Sequence, residues 1–108
     1  MILVAVVGAG ILGAVLRYLV TSRSPRWGVL AVNVVGSFLG GIAIGALSGD
    51  ARLILLSGFC GGLTTFSTFS VETIQAVLDG RVRAAAASVA ANLALGVGAA
   101  ALGYALFA

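Results

Sequence analysis

The side chains of this sequence that could meet an ion are amides, hydroxyls and phenyl rings. Asn33 and Asn92 each lie inside a long apolar stretch. A polar amide at such a position is expected to face a partner or an aqueous path. It can also serve only as an interhelical hydrogen bond that holds helices together. The two asparagines are therefore candidates for a polar path or for structural contacts.

Two phenylalanines, Phe66 and Phe69, are three residues apart, so they would share a face on a helix. The edge of a phenyl ring is electropositive. Rings presented edge-on could face a small anion without holding it too tightly for passage. The ordinary alternative is that both rings pack or face lipid. The hydroxyl residues that adjoin the rings are Thr65, Ser67, Thr68 and Ser70.

Composition excludes most enzymes and any ordinary soluble domain. The chain has 108 residues, of which 61% are hydrophobic and 8% charged, with no histidine. Soluble domains are about one quarter charged, so the chain is predicted to be an integral membrane protein. The acids are Asp50, Glu72 and Asp79. They offer no Ser-His-Asp set and no histidine-based metal site, which argues against an enzyme.

Four stretches are long enough to cross a bilayer, which takes about 20 apolar residues. They predict an all-α membrane protein of one domain, residues 1–108, with spans at about 2–20, 27–47, 53–78 and 84–107. The third stretch contains Gly58, Gly61 and Gly62, followed by a run of hydroxyl residues. This pattern predicts a third helix broken near its middle, because unwound backbone can line a cavity in membrane proteins. The alternative is a continuous helix with a small-residue packing face.

Three motifs give the chain a family resemblance. They are GILGAVLRY at residues 10–18, VNVVGSF at 32–38 and the long run GFCGGLTTFSTF at 58–69. Together they resemble the CrcB/Fluc fluoride channel family over nearly the whole chain. The resemblance implies passive fluoride export across the bacterial inner membrane. It also implies a dual-topology dimer of oppositely inserted subunits, with two fluoride pathways and a structural Na+ at the dimer interface.

The resemblance assigns roles to individual residues. Asn33 would be the hydrogen-bond donor of the pathway, and Phe66 and Phe69 its aromatic pair. Backbone carbonyls of Gly61 and Thr64 would hold the Na+. The hydroxyl residues expected to help line the path are Thr65, Ser67 and Thr68. The remaining matched or interfacial positions are Arg17 at the end of the first span, Glu72 near the end of the third and Asn92 in the fourth. One position departs from the family pattern, because Val29 stands where members often carry a hydroxyl residue.

The arginines are distributed unevenly over the predicted topology. Five lie at the ends that share one side, namely Arg17, Arg23, Arg26, Arg81 and Arg83, and Arg52 lies alone on the other. The positive-inside rule then places the first and third loops in the cytoplasm. This bias favours a chain of fixed orientation that pairs with an oppositely inserted paralogue. A dual-topology homodimer is the rival hypothesis.

Two other functions are alternatives to a fluoride channel. A small proton-coupled multidrug exporter needs an acid embedded in a span, whereas the first span has none and Glu72 lies near a span end. A non-transporting assembly subunit would need only the GxxxG patterns at 36–40 and 41–45. That hypothesis does not explain the run at residues 58–69.

Overall fold

The fold is a bundle of helices. The computed structural model describes the backbone of all 108 residues and the side chains of all except Pro25, Arg26, Ser67 and Thr68. The helices are α1 (Ile2–Arg23), α2 (Pro25–Ala46), α3 (Gly49–Arg52), a π-helix (Leu53–Cys60), α4 (Gly61–Leu63), α5 (Ser67–Leu78) and α6 (Val82–Phe107). No strand occurs along this backbone.

Three helices are long and apolar enough to cross a membrane: Ile2–Arg23, Trp27–Ala46 and Val82–Phe107. Little of α1 and α6 is buried within the subunit, and their exposed side chains are largely Leu, Val and Ile. An apolar surface of that extent would be untenable in water. The chain is a multi-pass membrane protein.

The helices pack as two parallel pairs. In the first, Gly10 and Gly13 of α1 lie against the π-helix and α4, and in the second, Gly41 of α2 lies against Ala100 of α6. A Cβ built at Gly13 would lie 2.8 Å from the Leu63 nitrogen. Only a residue without a side chain permits this approach of backbones, as is common between membrane helices. Because α2 and α6 run parallel, they start at the same end of the bundle.

The connections between helices are shorter than the sequence suggested. Ser24 alone separates α1 from α2, although residues 21–26 were expected to form a loop. At the other end, Arg52 donates from Nε to the Leu47 carbonyl at 2.9 Å and from Nη2 to the Ile44 carbonyl at 3.0 Å. The cation thereby caps the negative C-terminal end of α2.

Between α4 and α5 the helical path is interrupted. Thr64 has an extended backbone, with φ −78° and ψ 155°, and α5 begins only at Ser67. The preceding π-helix was not foreseen from the sequence, which carries no strong signal for this helix type. Turns of π-helix are often found near functional sites. Residues 64–66 are the point at which the chain leaves its helical path.

Candidate functional site

The site is built around Asn33 of α2, which lies beside the interruption. The Thr65 backbone N–H donates to Asn33 Oδ1 at 2.9 Å, and Asn33 Nδ2 donates to the Thr65 carbonyl at 3.3 Å. The side-chain amide therefore pairs with both backbone groups of one residue. Thr65 is buried, and a buried backbone group without a partner is costly. Asn33 thus supplies a hydrogen-bond partner that the interrupted helix lacks.

A second amide, that of Asn92 in α6, joins the first. Asn33 Nδ2 donates to Asn92 Oδ1 at 3.1 Å, and Asn92 Nδ2 donates to the Ser88 carbonyl one turn earlier at 2.9 Å. The three residues Asn33, Thr65 and Asn92 form what we term the asparagine cluster, which links α2, the interruption and α6. An amide nitrogen carries two hydrogens, so Asn92 retains a second N–H beyond its bond to Ser88.

The interruption also changes which hydrogen-bond donors reach the backbone carbonyls at the end of α4. In a continuous helix the Thr65 N–H would donate to the Gly61 carbonyl, but here it donates to Asn33. Gly61 therefore loses the partner that a continuous helix would give its carbonyl. The Thr64 N–H and hydroxyl both donate to the Cys60 carbonyl, at 3.0 and 2.9 Å. Freed carbonyls at a helix C-terminus are negative and suit a cation.

The predicted aromatic pair is brought together at the start of α5. The ring centroids of Phe66 and Phe69 lie 6.4 Å apart, with an angle of 50° between the ring planes. Phe69 is half-buried, whereas Phe66 is 80% exposed within the subunit. A phenyl ring exposed to that extent beside a part-buried polar cluster has an open side that a second protein surface could cover.

A cavity of about 840 Å³ lies between α2, α5 and α6 and includes Asn92 in its wall. Its polar lining comes from Glu72, Gln75, Arg81, Ser88 and Asn92, and Trp27 and Val29 contribute apolar surface. Val29, the position that departs from the pattern of the resemblance, is buried in this wall. The cavity leads from the asparagine cluster to the end of the bundle at which α6 starts.

The other predicted site residues do not share one location. Arg17 is half-buried in α1, away from this lining, and its carbonyl accepts the Thr21 hydroxyl at 2.8 Å. Glu72 lines the cavity and makes no ion pair among the described side chains. The side chains of Ser67 and Thr68 lie outside the described residues. Their predicted contribution to the path stays a prediction.

Sequence reasoning missed Arg81 as part of the site. It was counted only as a topological charge, yet it lines the cavity at its outer end. Its position in the turn before α6, two residues after Asp79, carried no motif that would have singled it out. The sequence likewise did not indicate that the two asparagines touch each other, since they are 59 residues apart.

Comparison with known proteins gives consistent matches. The family model described as CrcB-like protein, Camphor Resistance (CrcB), matches residues 3–104. A protein of Syntrophotalea carbinolica is 40% identical, over 95% of this chain and 93% of its own length. A protein of Geobacter sulfurreducens is 42% identical over 86% of each chain, and one of Thermobifida fusca is 42% identical over 95% of this chain and 92% of its own length. The first two are named fluoride-specific ion channel FluC, and the third FluC 1.

Proposed function

The chain belongs to the CrcB-like family, as its motifs predicted, and from this premise we propose that it is a fluoride-selective channel. It lets fluoride leave the cytoplasm passively and is not an enzyme. The observation that carries the proposal is the asparagine cluster, which lies beside a pair of phenyl rings at a break in the helical path. These groups stabilise a small anion without any full positive charge that would retain it.

The donors of the cluster differ in how firmly they are engaged. The contact from Asn33 Nδ2 to the Thr65 carbonyl is the longest of its hydrogen bonds, at 3.3 Å. That N–H is the one most easily turned toward an anion, since the shorter bond from Thr65 N–H still holds the amide in place. The second N–H of Asn92 faces no described acceptor. Asn33 and Asn92 together replace part of the water that fluoride loses on leaving solution.

The third span consists, in this proposal, of two halves. The first half is the continuous run of α3, the π-helix and α4 at residues 49–63, and the second is α5. Neither half is long enough to cross a bilayer by itself, whereas the two together match the required length. The interruption at residues 64–66 then lies at membrane depth, where unwound backbone must be covered by protein. The bond between Asn33 and Thr65 provides such cover.

A second subunit inserted in the opposite direction completes the channel. Phe66 is almost fully exposed in the single subunit, and the lateral surfaces of α1 and α6 are largely unburied. A dimer would cover the exposed ring and close the open side of the site. The partner is either a second copy of this chain in the opposite orientation or a paralogue with the opposite arginine bias.

A structural Na+ fits the end of α4. The Gly61 carbonyl has lost its helical partner to Asn33, and half-helix C-terminal ends are typical ligands for Na+ in membrane proteins. Carbonyls of Gly61 and Thr64 would hold the ion between the two subunits. Its positive charge would lower the cost of placing anions at mid-membrane.

Fluoride efflux from liposomes that contain the purified protein tests this function. We expect fluoride to leave passively when a counter-ion path is opened, and chloride under the same gradient to stay inside. A preparation with Na+ replaced by a larger cation should lose dimer stability and efflux together. Absence of fluoride efflux from folded dimer, with or without a paralogue, would refute the function, and equal chloride efflux would refute the selectivity.

A further inference from the structure

The cavity between α2, α5 and α6 leads from one end of the bundle to the asparagine cluster. Arg81 and Asn92 both line it, and they are 11 residues apart along the chain. A helical rise of 1.5 Å per residue places them about 16 Å apart along α6. Arg81 therefore stands at the mouth of the cavity and Asn92 at its inner end.

Positive groups lie at this mouth, although the cavity lining also holds one acid. Arg81 is the one cation among the described residues that line the cavity, and Glu72 is the one acid. Because α2 and α6 are parallel and both start here, their positive N-terminal ends point toward the same region. The carbonyls of Ala76 and Val77, near the end of α5, are capped by the N–H groups of Arg81 and Gly80.

Arg81 forms a water-exposed ion pair with Asp79. Its Nη2 lies 3.5 Å from Asp79 Oδ2, and both side chains are 58% exposed. An exposed ion pair of this kind contributes little to folding stability, because water competes for both partners. Asp79 therefore offsets part of the field of Arg81 at the mouth, and Arg81 is the partner that lines the cavity.

We propose that Arg81 attracts fluoride into this cavity and so sets the rate at which the ion reaches the asparagine cluster. This inference rests on the proposed function. The guanidinium of Arg81 lines the cavity whereas the carboxylate of Asp79 does not, so an ion in the cavity lies nearer to the positive partner. A nearby opposite charge raises the local concentration of an ion and the rate of its arrival. An exposed guanidinium does this without removing the ion's water. Fluoride is thus concentrated at the mouth but not retained there.

The test compares three variants in the liposome assay at low and high ionic strength. Arg81→Gln should lower initial fluoride efflux about twofold at low salt, the effect of removing one charge about 10 Å from the ion's path in water. Asp79→Asn should raise it, because Arg81 then loses its counter-ion. Arg83→Gln is the matched control. Arg83 lies in the same stretch and carries the same charge, but it does not line the cavity.

Salt distinguishes attraction from a structural effect. The Debye length is about 30 Å at 0.01 M and about 3 Å at 1 M, so all differences should disappear at the higher concentration. A loss in Arg81→Gln that persists at 1 M salt, or matches that of Arg83→Gln, would overturn the inference. So would efflux equal to that of the unmodified chain at low salt. A gain in Asp79→Asn cannot come from misfolding. If the unmodified chain passes no fluoride, the proposed function itself fails.

Discussion

At the scale of single residues, Asn33 is the centre of the site because its amide performs two tasks. It accepts the Thr65 N–H and donates to both the Thr65 carbonyl and Asn92. The sequence left open whether this amide is structural or lines a pathway. Its observed hydrogen bonds hold the interruption in place, and its contact with fluoride belongs to the proposed function.

Replacing the two asparagines separately should distinguish these tasks. Asn33→Ala leaves the buried Thr65 N–H without its acceptor, so we expect a loss of about 1–2 kcal/mol in unfolding free energy together with most of the fluoride efflux. Asn92→Ala removes one partner but leaves the Asn33 to Thr65 pairing intact. It should lower efflux with a smaller loss of stability.

Thermal unfolding of the detergent-solubilised dimer and liposome efflux provide the two measurements. Size-exclusion chromatography checks that each variant remains dimeric. Equal stability of the Asn33→Ala protein and the unmodified protein would show that the pairing with Thr65 does not support the fold. Unchanged efflux in both variants would remove the asparagine cluster from the pathway.

At the scale of elements, glycine positions decide how closely the helices approach. Gly13 lies against the Phe59 carbonyl and the Leu63 nitrogen, whereas Gly8, on the same helix, has no atom within 4 Å of the place where a Cβ would be. The contact at Gly13 brings α1 against the backbone just before the interruption. The position of the site therefore depends on a residue that does not touch it.

Substitution of these two glycines gives a matched pair. Gly13→Ala places a methyl group against backbone that cannot rotate away, and overpacking of this kind costs about 1–3 kcal/mol. Gly8→Ala adds the same methyl group to open space and should leave the subunit's stability nearly unchanged. Thermal unfolding in one detergent, measured for both variants, checks the difference. Equal destabilisation would contradict the packing of α1 on α4.

Much at this scale could be read from the sequence. Apolar length indicated α1, α2 and α6. A third span broken near its middle stays a prediction, with the non-helical residues 64–66 lying within the glycine and hydroxyl run. The pairing of Asn33 with Thr65 could not be read, because it depends on how α2 and the interruption are juxtaposed in space. The π-helix and the cavity mouth at Arg81 were missed for a related reason, since both arise from packing and not from local residue type.

At the scale of the whole molecule, the two ends of the bundle differ in their arginines. Arg81 and Arg83 are exposed at the end where α6 starts, and Arg23 is exposed at the end of α1 on the same side. At the opposite end, the guanidinium of Arg52 is occupied by the carbonyls of Ile44 and Leu47. The exposed arginines are thus more numerous at the end where α6 starts.

This contrast predicts a preferred orientation in the membrane. We expect the loops before α2 and before α6 to be cytoplasmic, and both termini to lie outside. A cysteine placed in a tag at either terminus should be labelled by an impermeant reagent from outside the cell. Cys60 is buried, so the tag carries the reactive thiol. Equal labelling from both sides would contradict fixed orientation and favour a dual-topology homodimer.

The pairing of Asn33 with Thr65 has a consequence for the order in which the chain is assembled. The partner that compensates the interruption belongs to α2, a helix made earlier in synthesis and remote in sequence. Away from α2, the Thr65 N–H could instead pair with the Gly61 carbonyl, as in a continuous helix. We therefore expect the interruption at residues 64–66 to form when this region docks on α2.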